Sequence, residues 1–270
     1  MGVITLTSDM GLKDHYVASV KGAILTQFPE AVIFDITHNI EPFDILHASF
    51  VLRNCWQDFP AGTVHMVCVD DFSSPKPRFL GAKHKGQFFI ASDCGILNLI
   101  IREQPDQLVE IAISQESEDA VFVAKDIFAK AAAFLARGGT MEFLGQPTSE
   151  MVTRGTLAPT TFEREISGSF VHIDSYGNAI SNIDRHLFSL IGKNRPFRII
   201  FSKGEFEITQ ISNAYNEVPT GEKVALFGGS GFLEIAVNQG TAQTGGGASQ
   251  LFGIKKGNSI TIEFEDVTNR

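Results

Sequence analysis

Four acidic residues of the sequence stand just after predicted strands: Asp9, Asp70, Asp71 and Asp93. In an open α/β sheet, ligands bind beyond the carboxyl ends of the strands, so these side chains are expected to line one common edge. The adjacent pair Asp70–Asp71 is the sharpest feature, because two neighbouring carboxylates repel and one of them can then carry a raised pKa. Neighbouring residues in a strand point to opposite faces. We therefore assign a functional role to Asp70 and expect Asp71 to be solvated.

Asp9 and Asp14 lie five residues apart after the first predicted strand. Two carboxylates on such a turn could hold the hydroxyls of a ribose or an ammonium group. The alternative is that both are only turn and capping residues, with Asp14 capping the helix that begins near Tyr16. Spacing alone leaves both interpretations open.

A second group lies in the segment 170–182, where Asp174, Tyr176 and Asn178 alternate at a period of two. If a strand continues through them, they share one face. An acid, an aromatic ring and an amide on one face would suit an amine joined to a flat heterocycle. The alternative is a hairpin turn, because Tyr-Gly-Asn is favourable turn chemistry in its own right.

The sequence argues against several classes of site and partner. The seven histidines and three cysteines have no zinc-ligand spacing, and His65, inside a predicted strand, is expected to be a core or edge histidine. Neither a Gly-x-Gly-x-x-Gly after the first strand nor a Gly-x-Ser-x-Gly occurs. A net charge of −9 without a basic cluster argues against nucleic-acid binding. There is no charged leader and no apolar run of membrane-spanning length. We expect a cytoplasmic protein with reduced cysteines, no metal, no cofactor and no membrane partner.

The elements that must position these residues alternate between strand and helix from Val3 to about Gly145. Predicted strands begin at Val3, Ala31, Thr63, Gln87 and Val109, and predicted helices span 17–28, 43–54 and 127–137. This alternation predicts an α/β domain with a mostly parallel sheet and helices on both faces. After a polar connector, short strands separated by Gly-rich turns predict an antiparallel β-barrel-like domain. We place the two domains at residues 1–160 and 166–270.

Five sequence blocks resemble the S-adenosylmethionine hydroxide adenosyltransferases, a family related to enzymes that fluorinate or chlorinate the same substrate. The blocks are residues 7–16 (TSDMGLKDHY), 35–44 (DITHNIEPFD), 64–70 (VHMVCVD), 174–178 (DSYGN) and 229–238 (GSGFLEIAVN). They occur in the family's order and span nearly the whole chain. The resemblance implies an α/β domain followed by a β-barrel domain, and a homotrimer with its sites between subunits.

The resemblance also implies binding roles for residues that match the family's motifs by position. Those near the ribose are Asp9, which would bind the hydroxyls, and Phe43, which would form a wall of the pocket. Those near the methionine part are Asp14 and Asp174, which would face the amine, and Ser230, which would lie near the carboxylate. Those that would frame the adenine by stacking and hydrogen bonding are Tyr176, Asn178 and Phe232.

The sequence departs from the family at the residues that handle the attacking water. The family continues its third strand as Asp-Pro-Gly-Val-Gly and has an Arg seven residues after the Asp. Pro77 occupies that position here, and Arg78 follows it. The family's His, within a Phe-His-Gly-Arg-Asp block, falls on Val123, which cannot handle a proton. Asp70 is retained, with Arg78 or Lys76 as the candidate cation beside it.

The resemblance implies cleavage of S-adenosylmethionine by water at the ribose C5′, giving adenosine and L-methionine, with Asp70 and Arg78 as catalytic residues. Because a thioether is a good leaving group, such a protein mainly has to orient the water and exclude bulk solvent. The rival interpretation is a catalytically lapsed protein that binds S-adenosylmethionine or adenosine. A halide nucleophile is disfavoured by the acidic pair Asp70–Asp71, which would repel an anion.

Overall fold

The structure, a computed structural model, describes residues 2–72, 74, 76–112, 120–155, 158–241 and 245–265. The chain divides into two units, Met1–Thr156 and Leu157–Arg270, each with its own sheet and core. No helix within these ranges is both long and apolar enough to traverse a bilayer. The predicted fold class, an α/β domain followed by an antiparallel barrel-like domain, is confirmed by the two sheets.

The first unit is built on a seven-stranded sheet with the strand order β2-β1-β3-β5-β4-β6-β7. Its strands are β1 (Val3–Ser8), β2 (Val32–Thr37), β3 (Val64–Cys68), β4 (Phe79–His84), β5 (Gln87–Ser92), β6 (Gln107–Ile111) and β7 (Gly145–Pro147). β1 pairs in parallel with β2 and β3, and β3 with β5, whereas β4 and β7 run antiparallel to their neighbours. The four parallel neighbours therefore present their carboxyl ends at one edge. β2 is an edge strand of this sheet, and its Phe34 is half exposed.

Helices cover both faces of this sheet because the central strands are apolar on both sides. In β3, Val64, Met66 and Cys68 pack in one hydrophobic cluster, whereas Val67 packs in another. The helices are α1 (Tyr16–Gln27), α2 (Ile45–Arg53), α3 (Ile96–Ile101), α4 (Ala129–Ala136, after a π-helical turn Ala124–Phe128) and α5 (Met141–Leu144). α1 and α4 pack on the first cluster, and α2 and α3 on the second.

Sequence patterning does not predict strand β4, nor the short elements α3, α5 and β7. Strand β4 pairs antiparallel with β5 through Lys85 and Gly86, whose φ angles are +48° and +78°. Two-residue hairpin loops favour positive φ at both central residues, and Asn-Gly signals such a loop far better than Lys-Gly does. The hairpin is therefore present without a strong sequence signal.

The second unit is an antiparallel eight-stranded sheet, in which every pair of named strands is antiparallel. Its strands are β8 (Thr160–Phe162), β9 (Glu165–Ile173), β10 (Ala179–Asp184), β11 (Phe197–Phe201), β12 (Phe206–Ile208), β13 (Lys223–Phe227), β14 (Phe232–Val237) and β15 (Ser259–Phe264). Two helices, α6 (Arg185–Gly192) and α7 (Ala248–Leu251), accompany the sheet. The main aromatic and aliphatic core of this barrel-like unit includes Phe170, Phe201 and Ile262, and a smaller hydrophobic cluster contains Val224.

His65 is a core histidine, as its position in a strand predicts. Its ring is fully buried in β3 and is hydrogen-bonded at both nitrogens. Nδ1 lies 2.7 Å from Thr5 Oγ1, and Nε2 lies 2.6 Å from Gln87 Oε1. Because the Gln87 oxygen only accepts, Nε2 carries the proton and Nδ1 accepts from the Thr5 hydroxyl. The neutral imidazole satisfies both partners.

Acid destabilisation is expected to depend on His65. Burial lowers the pKa of His65 from 6.5 to about 4, and the Gln87 hydrogen bond offsets only part of this effect. The contribution of the neutral ring to stability is therefore complete above the unfolded pKa and is lost as pH falls towards the folded one, by up to roughly 3 kcal/mol. Urea unfolding at neutral and acidic pH should show this loss in the wild type and a smaller one in His65→Gln. The exposed His186 provides the control: His186→Gln should keep the wild-type pH dependence, and the same loss in all three proteins would contradict the assignment.

Candidate functional site

Three of the four strand-end carboxylates come together at the edge of the first unit's sheet. Asp9 follows β1, and Asp70 and Asp71 follow β3, the parallel neighbour of β1. Burial raises the pKa of both Asp70 and Asp71, and the negative charge of Asp9 raises each further. The predicted convergence of strand-end acids is thus present for these three residues.

Asp9 is fixed by the loop that precedes α2. Its Oδ2 accepts a hydrogen bond from the Phe43 N–H at 2.9 Å. Phe43 has a φ of +65° and a side chain that is 72% exposed. Helix α2 begins at Ile45 rather than at the predicted Phe43, because Asp44 Oδ1 caps it by accepting from the His47 N–H at 2.9 Å. A bulky residue in the left-handed region is an unfavourable conformation of the kind that collects at functional sites.

Asp70 lies in the turn that follows the end of β3. Its φ of +56° lies in the left-handed region, which aspartate tolerates better than most residues. Burial raises the pKa of its carboxyl, the Arg154 guanidinium lowers it, and the Asp9 carboxylate raises it. Asp70 therefore lies under the opposing fields of one positive and one negative side chain.

Asp71 is not the solvated member of the pair that strand alternation predicts. Its Oδ1 accepts a hydrogen bond from the Ser92 hydroxyl at 3.1 Å. Burial raises the pKa of Asp71 to about 7; the Ser92 hydrogen bond lowers it, and the charges of Asp9 and Asp70 add to the increase. The expectation of a solvated Asp71 is wrong because β3 ends at Cys68 and the left-handed turn at Asp70 ends the alternation.

Replacing Asp71 by Asn is expected to stabilise the protein above neutral pH. The folded pKa of about 7 exceeds the unfolded value of 3.8. The favourable contribution of the protonated carboxyl to the free energy of unfolding is therefore present at low pH. This contribution is lost as pH rises through the pKa of the folded state. The neutral amide avoids this loss and keeps an oxygen for Ser92, so the free energy of unfolding at pH ~8 should rise by roughly 1–4 kcal/mol. Urea unfolding measures this, with the exposed Asp58→Asn as the matched control. An Asp71→Asn protein no more stable than the wild type at pH ~8 would contradict a raised pKa of Asp71.

Arg78 is engaged by carboxylates other than Asp70. Its Nη1 lies 3.1 Å from Asp93 Oδ2, and its Nε donates to Glu110 Oε2 at 2.9 Å. Among the described residues, none of the ion pairs of Arg78 reaches Asp70. Lys76, the other candidate cation, is exposed on the loop after β3. The positive charge that acts on Asp70 in this structure is that of Arg154.

Two further positions of the first unit have clear structural settings. Asp14 is exposed in the loop before α1 and does not cap that helix, whose N-cap residue is His15. Val123, which the resemblance places at the position of the family's His, is 2% exposed and packs in the first hydrophobic cluster. Asp14 is thus available to solvent, whereas Val123 contributes to packing.

In the second unit, the turn interpretation of segment 174–178 is confirmed and the continuing strand is wrong. β9 ends before Asp174 and β10 begins after Asn178. Asp174 Oδ1 accepts from the N–H groups of Tyr176 and Asn178 at 2.9 Å each, and its Oδ2 accepts from Asn178 Nδ2 at 3.0 Å. The Asn178 side chain is buried, whereas that of Tyr176 is 79% exposed. The turn therefore joins the acid and the amide directly and leaves the aromatic ring in solvent.

Glu234, in β14, is a buried acid that the sequence reasoning does not single out. Glu234 is 4% exposed, and its Oε1 accepts a hydrogen bond from the Tyr215 hydroxyl at 2.5 Å. Burial raises the pKa of Glu234, the Tyr215 hydrogen bond lowers it, and the charge of Asp174 raises it. A Cβ at Gly228 would overlap Glu234 Oε2, so the absence of a side chain there leaves room for the carboxyl.

Ser230 and Phe232 lie where the turn between β13 and β14 enters β14. The Ser230 hydroxyl accepts from the Phe232 N–H at 3.4 Å, and both residues are half-buried. The Gly228 N–H donates to the Phe232 carbonyl at 3.2 Å and closes the turn.

Sequence reasoning thus misses Arg154, Asp71 and Glu234. For Glu234 a signal exists, since an acid between apolar neighbours in a strand is expensive to bury without a partner. For Arg154 none exists, because it lies in the polar connector, where charged residues are ordinary. For Asp71 the prediction is misled by the rule that neighbouring strand residues point to opposite faces, because the strand has already ended before Asp71.

The chemistry available in both units is that of carboxylates. The described residues include no group of three or more His, Cys, Asp or Glu side chains placed to hold a metal ion. Ionised carboxylates accept hydrogen bonds from hydroxyl and ammonium groups and can orient water. Such groups suit a ligand that carries hydroxyls and a positive charge.

Comparison with known proteins gives two matches to family models. Residues 4–145 match the SAM hydroxide adenosyltransferase N-terminal domain, and residues 168–261 match the SAM hydroxide adenosyltransferase C-terminal domain. The two matches lie in the first and second unit, respectively.

The chain is also similar to named relatives along most of its length. It is 28% identical to an (R)-S-adenosyl-L-methionine hydrolase of Thermus thermophilus, with 97% of this chain and 100% of that protein covered. It is 23% identical to a fluorinase of Nocardia brasiliensis, with 87% of this chain and 90% of that protein covered. Among solved structures, an uncharacterized conserved protein from Thermotoga maritima superposes with a TM-score of 0.85 at 32% identity, covering 96% of this chain and 99% of that one.

Proposed function

The chain belongs to the SAM hydroxide adenosyltransferase family, and from this premise we propose that it cleaves S-adenosylmethionine with water at the ribose C5′, giving adenosine and L-methionine. The similarity to the Thermus thermophilus (R)-S-adenosyl-L-methionine hydrolase, over 97% of this chain, supports this choice. The observation in this structure that carries the proposal is the position of Asp70, at the sheet edge beside Asp9 and under the charge of Arg154.

The proposed reaction is an in-line displacement at carbon. The oxygen of water attacks C5′, the bond between C5′ and sulfur breaks, and its electron pair converts the sulfonium into the neutral thioether of methionine. The proton of the attacking water passes to the Asp70 carboxylate and then to solvent. No cofactor is required, because the positively charged sulfur already makes the thioether a good leaving group. The protein contributes orientation of the water and exclusion of bulk solvent.

In the first unit, Asp9 binds the ribose hydroxyls and Phe43 covers one side of the sugar. A carboxylate can accept hydrogen bonds from both hydroxyls of a diol, because each of its oxygens has two lone pairs. The exposure of the Phe43 ring and its backbone link to Asp9 support these roles. Asp14, exposed before α1, contributes to binding the methionine amine.

In the second unit, Asp174 attracts the methionine amine, with the buried Glu234 adding to the negative field. The remaining proposed contacts are Ser230 to the methionine carboxylate, and Tyr176, Asn178 and Phe232 to the adenine. The exposed ring of Tyr176 is free to stack on a planar base. Assembly into a homotrimer, with the sites between subunits, is part of the proposal.

The alternative is a protein that binds S-adenosylmethionine or adenosine without cleaving it. Two observations favour this candidate. Val123, which the resemblance places at the position of the family's His, is buried in a hydrophobic cluster. Arg78 is paired with Asp93 and Glu110. Both leave the water with fewer partners than the family normally provides.

The deciding experiment incubates the purified protein with S-adenosylmethionine in ¹⁸O-labelled water and separates the products by chromatography and mass spectrometry. Cleavage at C5′ by water predicts adenosine that carries one ¹⁸O at its 5′-hydroxyl, together with unlabelled methionine. Titration calorimetry with S-adenosylmethionine and with adenosine runs in parallel. Binding without product would support the alternative, and the absence of both binding and product would refute the substrate assignment itself.

A further inference from the structure

We propose that Arg154 is the positioning residue of Asp70, and that the positive charge of its guanidinium favours the ionised Asp70 carboxylate at the edge of the first unit's sheet. The catalytic consequence rests on the proposed function, whereas the electrostatic interaction can be tested without it. The sequence alone suggests Arg78 or Lys76 for this role.

The segment that carries Arg154 is attached to the ends of β5 and α3 by specific hydrogen bonds. The Val152 N–H donates to Asp93 Oδ1 at 2.7 Å, directly after β5. The Arg154 N–H donates to Asn98 Oδ1 at 3.0 Å, in the first half of α3. The Arg154 Nε donates to the Cys94 carbonyl at 3.3 Å. The backbone of this segment and the inner part of the guanidinium are therefore fixed beside the end of β5.

Gly95 provides the space in which the side chain of Arg154 lies. It has a φ of +96°, a conformation that residues with a side chain rarely adopt. A Cβ built on Gly95 would overlap the Cγ of Arg154, and its Cβ and Cδ lie close as well. The aliphatic stem of Arg154 thus packs against the one residue type that leaves room for it.

This placement brings the guanidinium to the strand end that is adjacent to Asp70. β5 is the parallel neighbour of β3, so Cys94 and Asp70 follow strands whose carboxyl ends meet at the same edge. The register of these strands pairs Met66 with Ile90, so Asp70 and Cys94 each lie four residues beyond a paired position, and the charge of Asp70 adds to the pKa increase that burial causes at the Cys94 thiol. Arg154, bonded to the Cys94 carbonyl, lies in the same neighbourhood.

The groups around Asp70 disfavour its ionised form, and a nearby positive charge opposes them. Burial and the negative charge of Asp9 both raise the pKa of Asp70, and Asp71 is adjacent in the chain. Among the described residues, the charge that opposes them is that of Arg154. A carboxylate has to be ionised to accept a proton from water, so loss of this positive charge is expected to raise the Asp70 pKa further and to weaken the base.

The test compares Arg154→Ala and Arg154→Lys with a matched control, Arg198→Ala. Arg198 is an exposed arginine of the second unit that pairs with Glu263 at 2.6 Å. Protein labelled with ¹³C at the aspartate carboxyls is titrated by NMR, and the Asp70 signal is assigned by its disappearance in Asp70→Asn. We expect an upward shift of the Asp70 pKa in Arg154→Ala, no upward shift in Arg198→Ala, and an intermediate result in Arg154→Lys, which keeps the charge but not the planar fork.

Kinetics with S-adenosylmethionine supply the catalytic readout. Arg154→Ala should lower kcat roughly 10- to 100-fold and move the acid limb of the kcat/KM profile to higher pH, since misplacement of a reacting group costs on this order. Gly95→Ala, which displaces the Arg154 stem without removing its charge, should move the profile in the same direction. An Asp70 titration that is unchanged in Arg154→Ala would overturn the proposal. A wild-type protein that forms no adenosine would refute the proposed function while leaving the NMR titration as a valid test of Arg154.

Discussion

Asp70→Asn is expected to reduce adenosine formation from S-adenosylmethionine by roughly 10²- to 10⁴-fold, the range for removal of a general base. The amide cannot accept the proton of the attacking water, and it orients the water less strongly than a carboxylate does. Asparagine is the appropriate replacement because Asp70 has a φ of +56°, and asparagine tolerates this left-handed conformation whereas alanine would strain it. The rate of adenosine formation under saturating S-adenosylmethionine measures the effect.

Binding measurements separate the role of Asp70 in the reaction from a role in binding. The dissociation constant of adenosine should change only a few-fold in Asp70→Asn, because the proposed role of Asp70 concerns the water rather than the nucleoside. Asp58→Asn makes the same carboxyl-to-amide change at an exposed position of the same unit and should retain wild-type kcat. A kcat for Asp70→Asn close to that of the wild type would remove Asp70 from the mechanism.

Asp9→Asn is expected to weaken the binding of adenosine and S-adenosylmethionine about 100-fold. Two hydrogen bonds from the ribose hydroxyls to a charged acceptor, at roughly 1.5 kcal/mol each, correspond to a loss of this size. The amide oxygen can still accept from the Phe43 N–H, which lies 2.9 Å from Asp9 Oδ2, so the loop before α2 is preserved. Titration calorimetry with each ligand gives the two dissociation constants.

Removal of the ribose hydroxyls provides the matched ligand control for Asp9. Wild-type protein should prefer adenosine to 2′,3′-dideoxyadenosine, and this preference should largely disappear in Asp9→Asn. The same variant should lower the pKa of Asp70, because the charge of Asp9 raises it, and so move the acid limb of the activity profile to lower pH. If Asp9→Asn weakened both nucleosides by the same factor, Asp9 would not contact the ribose hydroxyls.

Sequence patterns predict much of the fold because they record which faces of each element are buried. The helix predicted at 17–28 is observed as α1, with Val17, Val20 and Ile24 buried on one face. The hairpin strand β4 escapes prediction because its pairing depends on β5 and β6 rather than on its own pattern. Pairing between segments is a property of the assembled sheet, and a local pattern carries little information about it.

The acids at the strand ends illustrate which parts of a site can be predicted. Asp9 and Asp70 follow β-branched segments, and the convergence of parallel strands then brings them to one edge. The environment of Asp71 could not be predicted, because the rule of alternating faces applies only while the strand continues. Its hydrogen bond to Ser92, from β5, depends on the turn at Asp70.

The amino-acid sequence by itself determines the two fold classes, the family blocks and the strand ends at which Asp9 and Asp70 stand, because hydrophobic periodicity and turn chemistry are local properties. Only the tertiary structure decides which charges act on those carboxylates. It pairs Arg78 with Asp93 and Glu110 and brings Arg154, 84 positions after Asp70, to the same edge of the sheet. The physical reason is that an electrostatic interaction depends on distance in space and on burial, and neither can be read from separation along the chain.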